Sequence, residues 1–411
     1  MKKNCVIGQS GGPTAVINAS LAGVAAAALA SPHIGKVYGM VNGVQGLLEE
    51  QFVDMGEVLA GEEQVELLKQ TPAAYLGSCR FRLPDMETDT KPYEVIFALF
   101  EKHKIGYLFY IGGNDSMDTV HKLDAYAKKH GKDVQIIGVP KTIDNDLPET
   151  DHTPGYGSAA KYIAASVREI GMDSMVYCQP SVTIVEIMGR NAGWLTAAAA
   201  LARGEGYPAP HLIYLPEVLF SDKQFLTDIE ALLGEGVVNV IVAVSEGVRY
   251  EDGTYVCEGT QDCATDVFGH KNLSGTAKIL EQKVKAAFGI KARGIELNVL
   301  QRCGGHFASL TDIEEAFRVG KESVRAAEQG ESGVMMVYVR ESDAPYQISY
   351  AARHIGGIAN LEKVVPRHWI NTAGNDVTPE LLRYMQPLIL GEPEVRIQNG
   401  LPVYLSRQAR G

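Results

Sequence analysis

An α/β protein with largely parallel sheets is the fold this sequence predicts, on three observations. Short apolar runs alternate with helix-period segments through most of the 411 residues. Each glycine-rich or acidic motif falls just after one of those runs, where sheets of this kind carry their ligands. The length suits two or three domains and is ample for a sizeable core.

Taken in order, the runs at 4–7, 37–40, 107–111, 134–139, 181–187, 211–215, 237–244, 295–300 and 334–339 read as strands. Helical patterns occupy 15–30, 63–69, 92–103, 116–129, 157–170, 192–203, 222–233, 275–287 and 312–328. The alanine-rich stretches 22–30 and 195–202 fall short of the ~20 residues a membrane helix needs and read as closely packed helices. Segment 245–275 is polar and glycine-rich, with Asp252-Gly253 a turn and the remainder a loop or hairpin. Beyond about 340 the pattern is too irregular to place elements.

Composition narrows the function. With 45% hydrophobic and 21% charged residues the chain has the profile of an ordinary soluble enzyme. A net charge of -12 argues against nucleic-acid and anionic-membrane partners. A phosphorylated ligand would need a local cluster of Arg and Lys. The six cysteines are scattered without a C-x₂-C pair, which reads as reduced thiols in a cytosolic interior. The first residues run directly into a strand and a glycine turn, so no signal peptide is expected and the expected location is cytoplasmic.

The motifs point to phosphoryl transfer, where catalysis is mostly positioning and charge neutralisation. Gly8-Gln9-Ser10-Gly11-Gly12-Pro13-Thr14 joins a strand to a helix, and such a turn offers backbone N–H groups to an anion; alone, it is as readily a plain turn. Gly112-Gly113-Asn114-Asp115-Ser116 suits a phosphate and Mg²⁺, with Asp115 or Ser116 as a helix cap the blander alternative. Lys141-Thr142-Ile143-Asp144-Asn145-Asp146 is the most specific, because turn chemistry explains Asn and Asp but not the preceding Lys-Thr. Arg190, in Met188-Gly189-Arg190, is badly placed for the dipole of a helix starting there, which favours a phosphate contact. Glu246, after another strand, could accept from sugar hydroxyls. Arg293 and Arg302, nine apart across a strand, could clamp a terminal phosphate.

Together the motifs resemble the phosphofructokinases. Gly8–Thr14, Gly77-Ser78-Cys79-Arg80-Phe81, Gly112–Ser116, Pro140–Asp146, Met188–Arg190, Pro216-Glu217, Ser245-Glu246-Gly247 and Gln301-Arg302-x-Gly-Gly follow that family's order and approximate spacing. The resemblance implies two Rossmann-like parallel-sheet domains with the active site in the cleft between them. Residues 1–157 plus roughly 303–345 would form the larger donor-binding domain, 158–302 the sugar-phosphate domain, and 346–411 a segment packing across both. It further implies a homodimer or homotetramer using Mg²⁺.

By the same likeness Asp144 is the base that takes the proton of the 1-hydroxyl of fructose 6-phosphate, with Lys141 and Arg190 completing the catalytic set. Gly11, Gly12, Arg80, Gly113, Asp115, Ser116 and Lys141 would hold the donor. Thr142, Ile143, Met188, Gly189, Arg190, Glu246, Arg293 and Arg302 would hold the sugar phosphate, and Asn114, Asp115 and Asp146 the metal. ATP-using members resemble Gly-Gly-Asp-Gly-Ser and Pro-Gly-Thr-Ile-Asp-Asn-Asp at the two acidic loops. Here Asp115 and Lys141 replace the two distinguishing glycines. An aspartate in the path of the α-phosphate penalises ATP by bulk and like charge, while a lysine offers a point charge to compact pyrophosphate.

The pair therefore resembles the pyrophosphate-dependent branch. ATP as donor, sedoheptulose 7-phosphate as acceptor, and a non-catalytic regulatory subunit are the rival readings. Departures from the family pattern are Asn114 in place of an acidic residue, Ser181 and Val299 in place of two phosphate contacts, and Ala22 and Ala26 in place of effector-binding arginines. The last two predict no response to ADP or phosphoenolpyruvate through that site.

Overall fold

The apolar run that opens the chain becomes β1 (Lys3–Gln9), whose last five residues are buried. Continuous burial of this kind marks a strand covered on both faces, as in a parallel sheet. The computed structural model describes residues 2–79, 81–259 and 273–406.

Two sheets organise the chain. In sequence order the strands are β1, β2 (Ile34–Met40), β3 (Phe52–Asp54), β4 (Ile105–Gly112), β5 (Gln135–Pro140), β6 (Ser181–Ile187), β7 (Leu212–Tyr214), β8 (Asn239–Ser245), β9 (Lys291–Glu296), β10 (Val334–Asp343) and β11 (Tyr346–His354). The larger sheet runs β11-β10-β5-β4-β1-β2-β3 and the smaller runs β7-β8-β6-β9. Pairing is parallel throughout the smaller sheet and from β2 to β10 in the larger, whose two edge strands β3 and β11 are antiparallel. Alternating helices force this arrangement, since each crossover returns the chain to the same end of the sheet.

Helix Ile17–Ala30 and helix Leu310–Glu328 pack against each other through small residues. A Cβ on Gly23 would stand 2.0 Å from the Phe317 carbonyl oxygen, and one on Gly320 2.4 Å from that of Ser20. Only glycine permits so close an approach of two backbones. The alanine-rich pattern at 22–30 is thus a packing surface.

Three expectations need correction. The run at 295–300 is not one strand: β9 ends at Glu296, Asn298 has φ 44°, and Leu300–Cys303 forms a short helix. Its apolar residues Val299 and Leu300 face outward, so hydrophobicity misled there. Beyond 340 the chain is regular, with β10 and β11 forming a hairpin and Pro379–Met385 a helix. Not every thiol is interior, because Cys178 and Cys303 are exposed. The turn at Asp252-Gly253 closes a small hairpin, with the Tyr250 N–H donating to the Thr254 carbonyl at 2.9 Å. Residues 260–272, with Cys263, lie outside the described residues.

The segment after β11 joins the core of the smaller sheet. Leu381, Met385 and Leu388 share one buried cluster with Tyr156, Val185, Trp194 and Ile213. No helix among the described residues is long and apolar enough to cross a membrane.

Candidate active site

Neighbouring strands of the larger sheet deliver the first three motif loops to one place. The register pairs Gln9 with Ile111 and Gly112 with Pro140, so β1, β4 and β5 end level with one another. The loops that follow touch. Lys141 N–H donates to the Gly112 carbonyl at 3.0 Å, and its ammonium donates to the Gly12 carbonyl at 2.7 Å. A Cβ on Gly11 would lie 3.0 Å from that ammonium, and one on Gly113 3.4 Å from the Lys141 carbonyl oxygen. Gly11 also has φ +79°, which glycine tolerates without strain.

Asp115 and Ser116 are not the helix cap. The helix begins at Asn114, with Gly113 as its N-cap and no side-chain capping bond. Ser116 is buried against Gly112, whereas Asp115 is exposed and contributes its negative field at Lys141. A glycine-capped helix end in this position can receive an anion.

Electrostatics separate the catalytic candidates. Burial pushes the Lys141 ammonium down to about 8, against the pull of Asp144 and Asp146. Asp144 is raised above the usual carboxylate range by burial, while Lys141, Thr142, Arg190 and Arg302 oppose that shift. Asp146 is pushed up to about 7, first by burial and then by Asp144 beside it. Glu246 rises to about 8 from burial and the charge of Asp144. Clustered carboxyl groups with raised proton affinity are the environment that acid–base chemistry requires.

Thr142 sets the geometry of the base candidate. Its hydroxyl accepts from the Asp144 N–H at 3.0 Å and donates to Asp144 Oδ2 at 3.4 Å. Ile143 is buried with the core of the smaller sheet, so it anchors the loop between Thr142 and Asp144. Asp144 itself is half-buried.

The smaller sheet brings its own loops. β6 and β8 end level, with Ile187 opposite Ser245. Gly189, at φ +136°, donates its N–H to Glu246 Oε1 at 3.4 Å, and its carbonyl accepts from Ser245 Oγ at 2.5 Å. A Cβ on Gly247 would collide with the Arg190 carbonyl at 1.9 Å. Met188 N–H donates to Gln301 Oε1 at 3.2 Å. Arg190 is not at a helix start, because the helix begins at Trp194. Its charge nevertheless acts on both Asp144 and Glu246.

The two candidate clamp arginines have different neighbours. Arg302, on the short helix after β9, lies 3.3 Å from where a Cβ on Gly12 would stand. Arg293 lies within β9, half-exposed and 3.8 Å from Asp173. Arg80 lies outside the described residues.

Two residues of the C-terminal part also reach the acidic loops: Lys363, which by type alone reads as a phosphate contact or, more readily, a solvated surface lysine, and Tyr384. Lys363 donates from its ammonium to the carbonyls of Thr150 and Asp151 at 3.1 and 2.7 Å. Tyr384 receives the Asn145 side-chain amide at 2.9 Å. No local pattern at Lys363 or Tyr384 signals these contacts. Arg340 is paired with Asp151 at 2.9 Å.

The donor set fits a divalent cation that takes oxygen ligands. Asn114 Oδ1 and Asp146 Oδ1 are both buried with no hydrogen-bond partner. Asp146 additionally carries a suppressed negative charge that a cation would restore. No group of three His, Cys, Asp or Glu side chains that could hold a metal occurs among the described residues. Mg²⁺ is commonly held by one or two carboxylates together with substrate phosphates, oxygen ligands of the kind that Asn114 Oδ1 and Asp146 Oδ1 offer.

The phosphofructokinase family model matches residues 4–326. The chain belongs to the phosphofructokinase family. It is 43% identical over 403 residues to the pyrophosphate--fructose 6-phosphate 1-phosphotransferase of Halomonas elongata, covering 97% of this chain and 94% of that one. The enzyme of the same name from Methylococcus capsulatus is 41% identical over 408 residues, covering 98% and 96%. Among solved structures, the pyrophosphate-dependent phosphofructokinase of Nitrosospira multiformis superposes with a TM-score of 0.89 at 38% identity, over 99% of this chain and 96% of that one. Likeness over nearly the whole length covers both sheets and the C-terminal part that motifs alone did not reach.

Proposed function

We propose that this phosphofructokinase moves a phosphoryl group reversibly from pyrophosphate to the 1-hydroxyl of fructose 6-phosphate, giving fructose 1,6-bisphosphate and phosphate. The observation that carries the donor assignment is the Lys141 ammonium, held 2.7 Å from the Gly12 carbonyl inside the first loop. A compact tetra-anion entering there would exchange with that carbonyl as the lysine's partner. The Asp115 charge nearby opposes the longer polyphosphate of a nucleotide.

In the forward direction Asp144 accepts the proton of the 1-hydroxyl as the oxygen attacks phosphorus. The new O–P bond forms as the bridging P–O bond of pyrophosphate breaks, and phosphate leaves. The raised proton affinity of Asp144 suits a base that must hold a proton at the transition state. Thr142 fixes the carboxylate, and Lys141 with Arg302 offsets charge on the transferring group. Gly11, Gly12, Gly113 and Ser116 shape the donor loops, with Arg80 as a further donor contact. Met188, Gly189, Arg190 and Glu246 orient the sugar phosphate. Arg293 would add a further contact to the sugar phosphate.

Asn114, Asp115 and Asp146 would hold Mg²⁺, which when bound neutralises phosphate charge. Residues 1–157 with roughly 303–345 are proposed as the donor domain and 158–302 as the sugar-phosphate domain, with the substrates between them and 346–411 packing across both. A cytoplasmic homodimer or homotetramer acting in glycolysis or gluconeogenesis completes the proposal.

Phosphorus NMR tests the reaction in both directions. Pyrophosphate and fructose 6-phosphate should give equal amounts of phosphate and fructose 1,6-bisphosphate, and adding phosphate to the bisphosphate should regenerate pyrophosphate. Pyrophosphate consumption without sugar bisphosphate would overturn the assignment.

A further inference from the structure

The segment Leu361–Val365 touches motif loops belonging to both sheets. Asn114 Nδ2 of the larger sheet's loop donates to the Leu361 carbonyl at 2.7 Å. Lys363 N–H donates to the Asp146 carbonyl at 2.7 Å. From the smaller sheet, Asn191 Nδ2 donates to Glu362 Oε1 at 3.0 Å, and Trp194 Nε1 to the Lys363 carbonyl at 2.9 Å. Glu217 Oε1 accepts from both Val365 N–H and Gly193 N–H at 2.8 Å.

Lys363 concentrates these contacts on one residue. Its ammonium reaches Asn145 Oδ1 at 3.4 Å besides the carbonyls of Thr150 and Asp151, and it stands 5.2 Å from the centre of the Trp194 ring. Asn145 lies between the two aspartates, fully buried and at φ 53°. Asparagine tolerates this left-handed conformation better than most other side chains, and its surroundings hold it on both sides. Here the enforcing groups are Lys363 on its carbonyl oxygen and the Tyr384 hydroxyl on its amide nitrogen, and that hydroxyl donates onward to the Asp151 carbonyl at 2.7 Å.

We propose that Leu361–Val365 is a strap between the acidic loops and the sugar-phosphate loops, and that Lys363 and Tyr384 are positioning residues holding the turn at Asn145 so that Asp144 and Asp146 face the reacting groups. The kinetic part of this proposal rests on the phosphotransferase reading above. Neither residue is among those proposed to hold substrate. Their contribution therefore falls on the chemical step, where displacing a catalytic group by about 1 Å can cost on the order of 100-fold.

Two conservative variants of the full chain test it. Lys363→Met should lower kcat about 10- to 100-fold with the KM values for pyrophosphate and fructose 6-phosphate within about threefold of the parent. Tyr384→Phe, which removes one oxygen, should lower kcat by a smaller factor in the same pattern. Because both act through Asn145, the double variant should lose little beyond Lys363→Met alone. Amide hydrogen exchange over 141–147 should quicken in each variant while β6 and β8 keep their protection.

If Lys363→Met does not fold, Tyr384→Phe decides the matter by the same two readouts. A folded variant with kcat within twofold of the parent, or with unchanged exchange over 141–147, overturns the strap. An inactive parent protein would overturn the reaction assignment instead, and the exchange experiment would still decide the strap.

Discussion

The Lys141 ammonium donates to the carbonyl of Gly12, joining the loop after β5 to the loop after β1 at 2.7 Å. Both loops end parallel strands that are separated in the sheet only by β4. A lysine in the third motif therefore sits inside the first, where the donor's phosphates would lie. The glycine that ATP-using relatives of the motif resemble at this position could not make that contact.

Replacing the two residues proposed to select the donor tests this relationship. Asp115→Gly with Lys141→Gly should reduce kcat/KM for pyrophosphate by roughly 100-fold, the scale of one or two charge-assisted hydrogen bonds. The same variant should use MgATP better than the parent. Steady-state assays with each donor read both changes.

Asp144→Asn keeps the shape of the side chain and removes the proposed base. The turnover number should fall by about 10²- to 10⁴-fold, the range for loss of a positioned proton acceptor, with KM changed little. Single-turnover measurements at saturating pyrophosphate would place the loss in the chemical step.

The pH profile should be bounded on its basic side by Lys141. Burial lowers its affinity for the proton to about 8, so the free enzyme loses this positive charge as pH rises through that value. The kcat/KM for pyrophosphate should fall above about pH 8, because kcat/KM reports groups of the free enzyme. Lys141→Arg stays protonated throughout and should abolish that limb at whatever activity it retains.

His152 gives a stability prediction of opposite origin. Burial disfavours its imidazolium, but Glu315 and Asp151, at 2.7 and 2.8 Å, outweigh that cost and raise it to about 9. A histidine raised on folding binds its proton more tightly in the native state than in the unfolded one. Its stabilisation is complete below the unfolded value of about 6.5 and is lost as pH climbs through about 9. Thermal midpoints should decline between those limits, and His152→Gln should flatten the decline while lowering the midpoint at pH 6.

Strands buried on both faces were legible because continuous apolar runs can do little else. β6 falls on residues 181–187 as the run predicts, and β1, β4, β5 and β8 differ from theirs by one or two residues at their ends. β9 was misplaced because Val299 and Leu300 are apolar yet exposed, and local hydrophobicity does not say which way a residue faces. The level ends of β1, β4 and β5 bring the acidic loops together, and those loops stood out by residue type and order.

The strap did not. Lys363 meets Asn145 across 218 positions and Tyr384 meets it across 239, through ordinary residues with no motif of their own. Arg302 and Arg293, nine apart in sequence, meet different neighbours, Arg302 approaching Gly12 and Arg293 approaching Asp173.

The account stands most directly on which donor is accepted. Initial rates for purified protein with fructose 6-phosphate, measured side by side with magnesium pyrophosphate and magnesium ATP, should show turnover with pyrophosphate and at most a small fraction of it with ATP. Equal or faster turnover with ATP would contradict the role assigned to Asp115 and Lys141.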